Sequence, residues 1–175
     1  MLNELQSRLH VRYTPEHAKE LERMEMLFQF DRFGSKDALR LGTQIVAEAE
    51  KYKRDVAIRI VRTEDQLILF QYVGEEKTAR NLEFARKKGN TVAATGHCSL
   101  WPLVQAFGGG SVPTVFEEAT DFLPVGGAIP ILENGKMTAI VEVSGLHDGM
   151  DHMAIMEAVC AIKGCDVPAF HGQYV

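Results

Sequence analysis

The sequence predicts an α/β domain of the α+β kind, an antiparallel sheet with helices on its faces. Three observations predict it. First, the dipeptide Asn134-Gly135 sits between two apolar runs, 128–132 and 138–143. Asn-Gly is a strong hairpin signal, because a type I′ turn needs positive φ at both central residues. Second, another strand pair, 56–62 and 67–73, brackets the polar turn 63–66. Third, segments of helical spacing with their own start and stop residues alternate with these pairs. The resulting order is αα-ββ-α(α)-ββ-α.

The bulk properties bound the function. The chain has 175 residues, 46% hydrophobic and 25% charged. That is enough for one domain with a real core, here expected to span 1–175, with 1–13 as an N-terminal arm and 165–175 as a C-terminal tail. The formal net charge of −5 argues against a general nucleic-acid or anionic-membrane surface. No apolar stretch reaches the ~18 residues needed to span a bilayer, and the first residues lack an apolar signal core. Three cysteines, an odd number, argue against a disulfide framework and fit a reducing compartment. The expected location is the cytoplasm.

In chain order, Thr14-Pro15 is a helix start, with Thr as N-cap and Pro at the first helical position. An apolar stripe through Leu21, Met24, Leu27 and Phe28 extends this helix to about Phe30. Ser35 caps a second helix over 36–53. Gly74 ends the 67–73 strand. A third helix is expected from Glu75 to about Lys88, stopped by Gly89-Asn90. Residues 91–97 are a short helix or linker, and 100–107 another short helix with Trp101-Pro102 at its start. Gly108 to Ser111 form a turn, and 112–124 are irregular or partly helical. In the hairpin, Pro130 cannot donate to a ladder, which places its strand at an edge, or Pro130 at a bulge or strand start. The β-branched run 138–143 reads as a central strand. Asp148 is a plausible N-cap for the last helix, with Asp151 helping its positive end. Met153, Met156 and Cys160 follow at helical spacing, and Gly164 closes the helix. The tail reads as extended, suited to docking on a neighbour.

Several motifs together resemble a known family. Gly126-Gly127-x-x-Pro130-Ile131, the strand ending Val143-Ser144-Gly145, and Asp151-His152 opening the last helix are similar to the GlcG/HbpS-like heme-degrading-domain family. Phe84-x-Arg86-Lys87-Lys88-x-Asn90-Thr91-Val92 and Gly96-His97-x-Ser99 resemble an uncharacterised cytosolic branch of it. The resemblance covers roughly residues 37–163. It implies a profilin-like three-layer α/β/α fold with a roughly five-stranded antiparallel sheet, and homo-oligomers, dimers or larger rings. It also implies that some relatives bind heme or take part in its degradation, so heme is the cofactor it suggests. Two positions depart from the branch pattern. Val125 stands where His usually precedes Gly-Gly, and Cys98 stands where the first Ser of a pair is usual.

The candidate site residues follow from these motifs. Arg86, Lys87, Lys88 and Asn90, expected at a helix C-terminus, suit carboxylates such as heme propionates, or simply complement a helix dipole. His97 could ligate iron or activate the adjacent thiol, with Ser99 beside it; a structural role is the plainer alternative. Asp151 and His152, with His147 and Asp148 nearby, suit a divalent metal, acid–base work or a corner contact between subunits, although the spacing is not His-Glu-x-x-His. Gly126 and Gly127 form no phosphate loop, but let backbone or a planar ligand approach closely. Cys160 reads as core, and a zinc site with Cys165 is disfavoured because the spacing is not Cys-x-x-Cys.

Three functional readings stand together. The first is a small-molecule-binding protein, with heme as the implied ligand. The second is an oligomeric interaction protein without enzymatic activity. The third is an enzyme using His97 or His152 as acid and base. The resemblance favours the first.

Overall fold

Asn134 and Gly135 take φ of 50° and 77°, so the hairpin closes through two left-handed residues and Glu133 pairs with Lys136. This is the type I′ geometry its sequence requires. In the computed structural model, described for residues 1–111, 121–147 and 149–175, the hairpin joins β4 (Ala128–Glu133) to β5 (Lys136–Ser144). The other elements are α1 (Leu2–Gln6), α2 (Pro15–Glu25), a 3-10 turn (Met26–Phe28), β1 (Gln29–Phe30) and α3 (Ser35–Glu50). Next come β2 (Ala57–Arg62), β3 (Ile68–Val73), α4 (Ala79–Thr95), α5 (Trp101–Phe107) and, last, α6 (Met150–Lys163).

The five strands lie in the order β1-β4-β5-β2-β3. β5 is central, as its β-branched run predicts. The sheet is mixed, because β1 runs parallel to β4 while every other pair is antiparallel. That corrects the purely antiparallel expectation. β1 is only two residues long and follows a helix without a break, so no period-2 pattern announces it. For the same reason α2 ends at Glu25 and does not reach Phe30.

Pro130 sits where its missing N–H costs nothing. The N–H and carbonyl of Ala128 both turn away from β5, to Ser99 Oγ at 3.0 Å and the Ser99 N–H at 2.9 Å. Two residues on, Pro130 N points the same way. β1 covers only Leu132 and Glu133, so β4 is an edge strand at Pro130, as expected.

Alternation sorts the two faces. Ile58, Ile60, Ile129, Ile131, Val141 and Val143 join the main core, together with buried residues of α2, α3, α5 and α6. α3 approaches β3 closely because a side chain at Gly42 would strike the Phe70 ring. On the opposite face, among the described residues, α4 crosses the sheet over a small apolar cluster of Val92, Ala128 and Ile140. The arrangement is the expected three-layer α/β/α, profilin-like sandwich.

α4 itself is a second correction. It runs unbroken through Gly89-Asn90 and ends at Gly96, whose φ is 75°. Gly89 is not a stop. A Cβ there would collide with the Glu142 carboxylate of β5, so the glycine is a notch that lets helix and sheet approach. The basic cluster therefore lies mid-helix, and the helix-dipole account of it fails.

The last helix ends at Gly164, φ 68°, as predicted. Its proposed cap, Asp148, lies outside the described residues, as do positions 112–120 of the stretch read as irregular. The tail turns back on its own chain. Tyr13 donates to Gln173 O at 2.6 Å, and the Gly126 N–H donates to Val175 O at 2.7 Å. The Gln173 side chain also accepts from the His10 N–H and donates to Arg8 O. Arm and tail thus hold each other.

Candidate functional site

Lys88 is the group around which the site assembles. α4 points it inward across the sheet, where it is 3% exposed. Its ammonium donates to Val143 O at 3.0 Å and to Asp151 Oδ2 at 2.7 Å. Asp151, in the first turn of α6, accepts from the Leu146 N–H at 2.8 Å with its other oxygen. An ammonium has three donors, so Lys88 retains one beyond these two bonds. Asp151 is therefore an anchor for Lys88 and for the corner before α6, and not only a charge at a helix start.

Gly126 and Gly127 form the floor. Gly127 takes φ of 124°, and a Cβ there would lie 2.6 Å from Lys88 Nζ and 2.9 Å from Asp151 Cβ. A Cβ at Gly126 would meet His152 Cβ at 3.0 Å. Only glycines admit the Lys88–Asp151 pair and His152 this close to the backbone. Ser99 holds the turn from below. Its hydroxyl donates to Val125 O at 2.5 Å and accepts from the Ala128 N–H at 3.0 Å.

Lys88, Asp151 and Gly126 border a cavity of about 440 Å³. Its wall includes Lys88, Asp151, Gly126, Phe84, Leu146 and Val125, with Leu5 and Arg8 of the arm and Val175 of the tail closing one side. The volume falls within the range of small-molecule sites, and the lining is mixed, with apolar side chains beside the charged groups of Glu4, Arg8, Lys88 and Asp151. A second cavity of similar size lies over Leu9, His10 and Phe107, and its described lining has no buried charged side chain. The chemistry therefore points to the first.

The structure brings together Lys88, Gly126, Gly127, Asp151 and His152, with Ser99 as their support. It separates the other candidates. Arg86 turns outward to Glu83 at 2.6 Å and Asp121 at 3.4 Å. Asn90 donates to Asp121 O, so these two residues fasten the chain at 121–123 to α4. Lys87 contributes its carbonyl to the Leu123 N–H.

His97 lies apart from the cavity. Its Nδ1 is 3.0 Å from Glu25 Oε2, and its ring stacks on Trp101 at 4.4 Å. Glu25 also accepts from the Cys98 N–H at 2.7 Å. The hydrogen bond to Glu25 raises the His97 pKa against the opposing effect of partial burial. Cys98 is buried, and burial pushes its thiol well up, so it is no activated nucleophile.

His152 is fully enclosed beside Tyr174 of the tail, with ring centroids 5.4 Å apart. Its Nδ1 has no hydrogen-bond partner. Burial, aided by the nearby Lys88 charge, lowers its pKa to about 3. His152 is thus a neutral imidazole at neutral pH, packed behind the floor and not lining the cavity. Among the described residues no group of three His, Cys, Asp or Glu side chains is placed to hold a metal ion.

The arm and tail are what sequence reasoning missed at this site. The spacing of Leu2, Leu5 and Leu9 hints at an apolar helix face in the arm, but nothing local says what it covers.

Comparison with known proteins agrees with the fold. The profile of the family described as "Haem degrading protein HbpS-like" matches residues 33–160. A UPF0303 protein of Pseudomonas entomophila (strain L48) is 32% identical over 155 residues, covering 83% of this chain and 82% of its own. A UPF0303 protein of Burkholderia mallei (strain NCTC 10229) is 34% identical over 143 residues, covering 80% and 86%. Among solved structures, Ybr137w superposes with a TM-score of 0.71 at 25% identity, over 84% of this chain and 87% of its own. A PduOC:heme complex gives 0.62 at 17% identity, over 72% and 91%, which speaks to the fold alone.

Proposed function

This chain belongs to the HbpS-like family, and on that premise we propose that it is a small-molecule-binding protein whose ligand sits in the cavity over Lys88. The observation that carries the proposal is the buried ammonium with a donor to spare, set above two glycines at the edge of a chamber with mixed apolar and charged walls. Such a seat suits an apolar-bodied molecule with a carboxylate or carbonyl end. Arg8 on the wall is a second cation, paired there with Glu4 at 3.8 Å.

Heme is the member of that class suggested by the family's description and by the heme complex of one structural relative. The described lining suits its carboxylates better than its iron. It contains no histidine, cysteine or tyrosine, and Val125 occupies the wall where the branch pattern has His. His97, oriented by Glu25, would present an imidazole only outside the cavity.

The test is a heme titration followed by absorbance, on wild type, Lys88→Met and His97→Ala, with folding checked by circular dichroism. The proposal expects saturable binding that weakens at least tenfold in Lys88→Met and is unchanged in His97→Ala. Absence of saturable binding removes heme as the ligand. Binding lost only in His97→Ala moves the seat to the outer surface and overturns the cavity.

A homo-oligomer is also proposed. β3 is a sheet edge with the side chains of Leu67, Ile68 and Val73 exposed along it, which favours a subunit contact there. The whole of 1–175 is taken to act as one cytoplasmic domain, arm and tail included. No helix among the described residues is long and apolar enough to cross a membrane.

A further inference from the structure

The turn that ends α6 places two thiols together. Gly164 is left-handed, and both the Gly164 and the Cys165 N–H groups return to Cys160 O, at 2.8 and 3.1 Å. The bond from Cys165 to Cys160 is the six-to-one bond of a Schellman turn, in which the side chains at those two positions meet. Usually the meeting is an apolar contact. Here both positions are cysteines, so the turn sets one thiol-bearing side chain toward the other. Cys160 is buried and Cys165 exposed. The Cys160 thiol also donates to Asp166 O at 3.5 Å. The spacing is not Cys-x-x-Cys, yet the turn folds the two positions back on one another across five residues.

We propose that Cys160 and Cys165 are a reversible redox pair, oxidised by peroxide to an intramolecular disulfide that staples the end of α6 to the root of the tail. This inference does not depend on the ligand cavity. Exposed Cys165 is the thiol that an oxidant can reach. Burial, reinforced by Cys165 beside it, pushes the Cys160 thiol up to about 12, which leaves it protonated and slow toward peroxide, so Cys165 is oxidised first and Cys160 attacks only because the turn holds it close. In the first step the Cys165 sulfur takes one peroxide oxygen. The O–O bond breaks, water leaves, and a sulfenic acid remains. In the second, the Cys160 sulfur attacks that sulfur and displaces hydroxide, which leaves with the Cys160 proton as a second water. Two thiols lose two electrons and one peroxide becomes two waters. A dithiol such as reduced thioredoxin reverses the bond by exchange.

The stapled tail is the segment that reaches Glu20, Tyr13, Arg8 and Gly126. Oxidation removes the Cys160 S–H donor to Asp166 and ties Cys165 covalently, so the tail starts from a fixed point.

The experiment treats the full-length protein with one equivalent of hydrogen peroxide, unfolds it, alkylates free thiols and measures mass. The expected result is loss of two of the three thiols, a chain lighter by two hydrogen atoms, and a cross-linked peptide joining Cys160 to Cys165. Dithiothreitol restores all three thiols, and Cys165→Ser shows no cross-link. Cys165 carrying a sulfinic or sulfonic acid while Cys160 remains alkylatable overturns the proposal. So does a covalent dimer through Cys165. The wild-type peptide map decides without any variant, so the test survives if Cys160→Ala fails to fold.

Discussion

Lys88 and Asp151 meet at 2.7 Å with side chains only 4% and 6% exposed, joining α4 on one face of the sheet to α6 on the other. Removing one partner leaves the other charge buried and unpaired. Asp151→Asn or Lys88→Met should each destabilise the fold by about 3–5 kcal/mol, read as a lowered urea midpoint. Lys88→Met with Asp151→Leu should recover much of the loss, because the pair itself contributes little net stability. Full additivity of the two single effects would contradict this account.

Gly89 offers a second test. Alanine in a helix interior ordinarily favours the fold by about 1 kcal/mol over glycine. Here Gly89→Ala should instead cost about 1–3 kcal/mol, because its methyl collides with the Glu142 carboxylate. In a Glu142→Ala background the same substitution should become neutral or favourable. Thermal denaturation of the four proteins gives the sign directly.

Ser99 holds the Gly126-Gly127 turn by two hydrogen bonds. Ser99→Ala leaves Val125 O and the Ala128 N–H without these partners, at a cost of about 1–3 kcal/mol. Amide exchange should quicken at Ala128 before it quickens in β5. Ser99→Thr keeps the hydroxyl and should retain most of the protection.

Two buried groups set opposite pH trends. Burial raises the Glu142 pKa from 4.5 to about 8, against the attraction of Arg59 Nη1 at 3.1 Å. That ion pair is not aligned as a hydrogen bond, so Glu142 Oε2 remains without one. Between pH 4.5 and 8 the folded state holds more protons at this site than the unfolded state, so stability falls as pH rises. His152 acts the other way. Its pKa is lowered from 6.5 to about 3, so its contribution is present above pH 6.5 and is lost as pH falls toward 3. Of these two groups only Glu142 acts above pH 6.5, where the raised His97 adds a fall of the same sign, and for Glu142 the interval to 8 corresponds to about 2 kcal/mol. Glu142→Gln should make the stability profile shallower between pH 6.5 and 8 in urea titrations. A variant that keeps the wild-type slope would assign it elsewhere.

Features encoded by neighbouring residues were legible in the sequence. The type I′ hairpin follows from Asn134-Gly135, the central place of β5 from its β-branched run, and the end of α6 from Gly164. The close approach of Gly126-Gly127 was also legible, because glycine repeats in a strand approach have few other uses. The misreadings share one cause, in that the deciding partner is remote in sequence. Gly89 looks like a helix stop until Glu142 is placed beneath it. Gln29 and Phe30 look like the end of a helix until β4 provides a ladder. The mid-helix lysines look alike until the sheet selects Lys88 for burial and leaves Arg86 to Glu83 and Asp121.

The strand order has a consequence for synthesis on the ribosome. The β2–β3 hairpin emerges early, yet the inner edge of β2 waits for β5, with Arg59 paired to Glu142. β1 waits longer still for β4, with Gln29 opposite Leu132. A nascent chain stalled before the second hairpin would therefore expose an unpaired, β-branched strand and the apolar face of α3 together. Such a chain is a natural client for holdase chaperones. Its yield should depend more on how quickly residues 128–144 are delivered than on the stability of the finished fold.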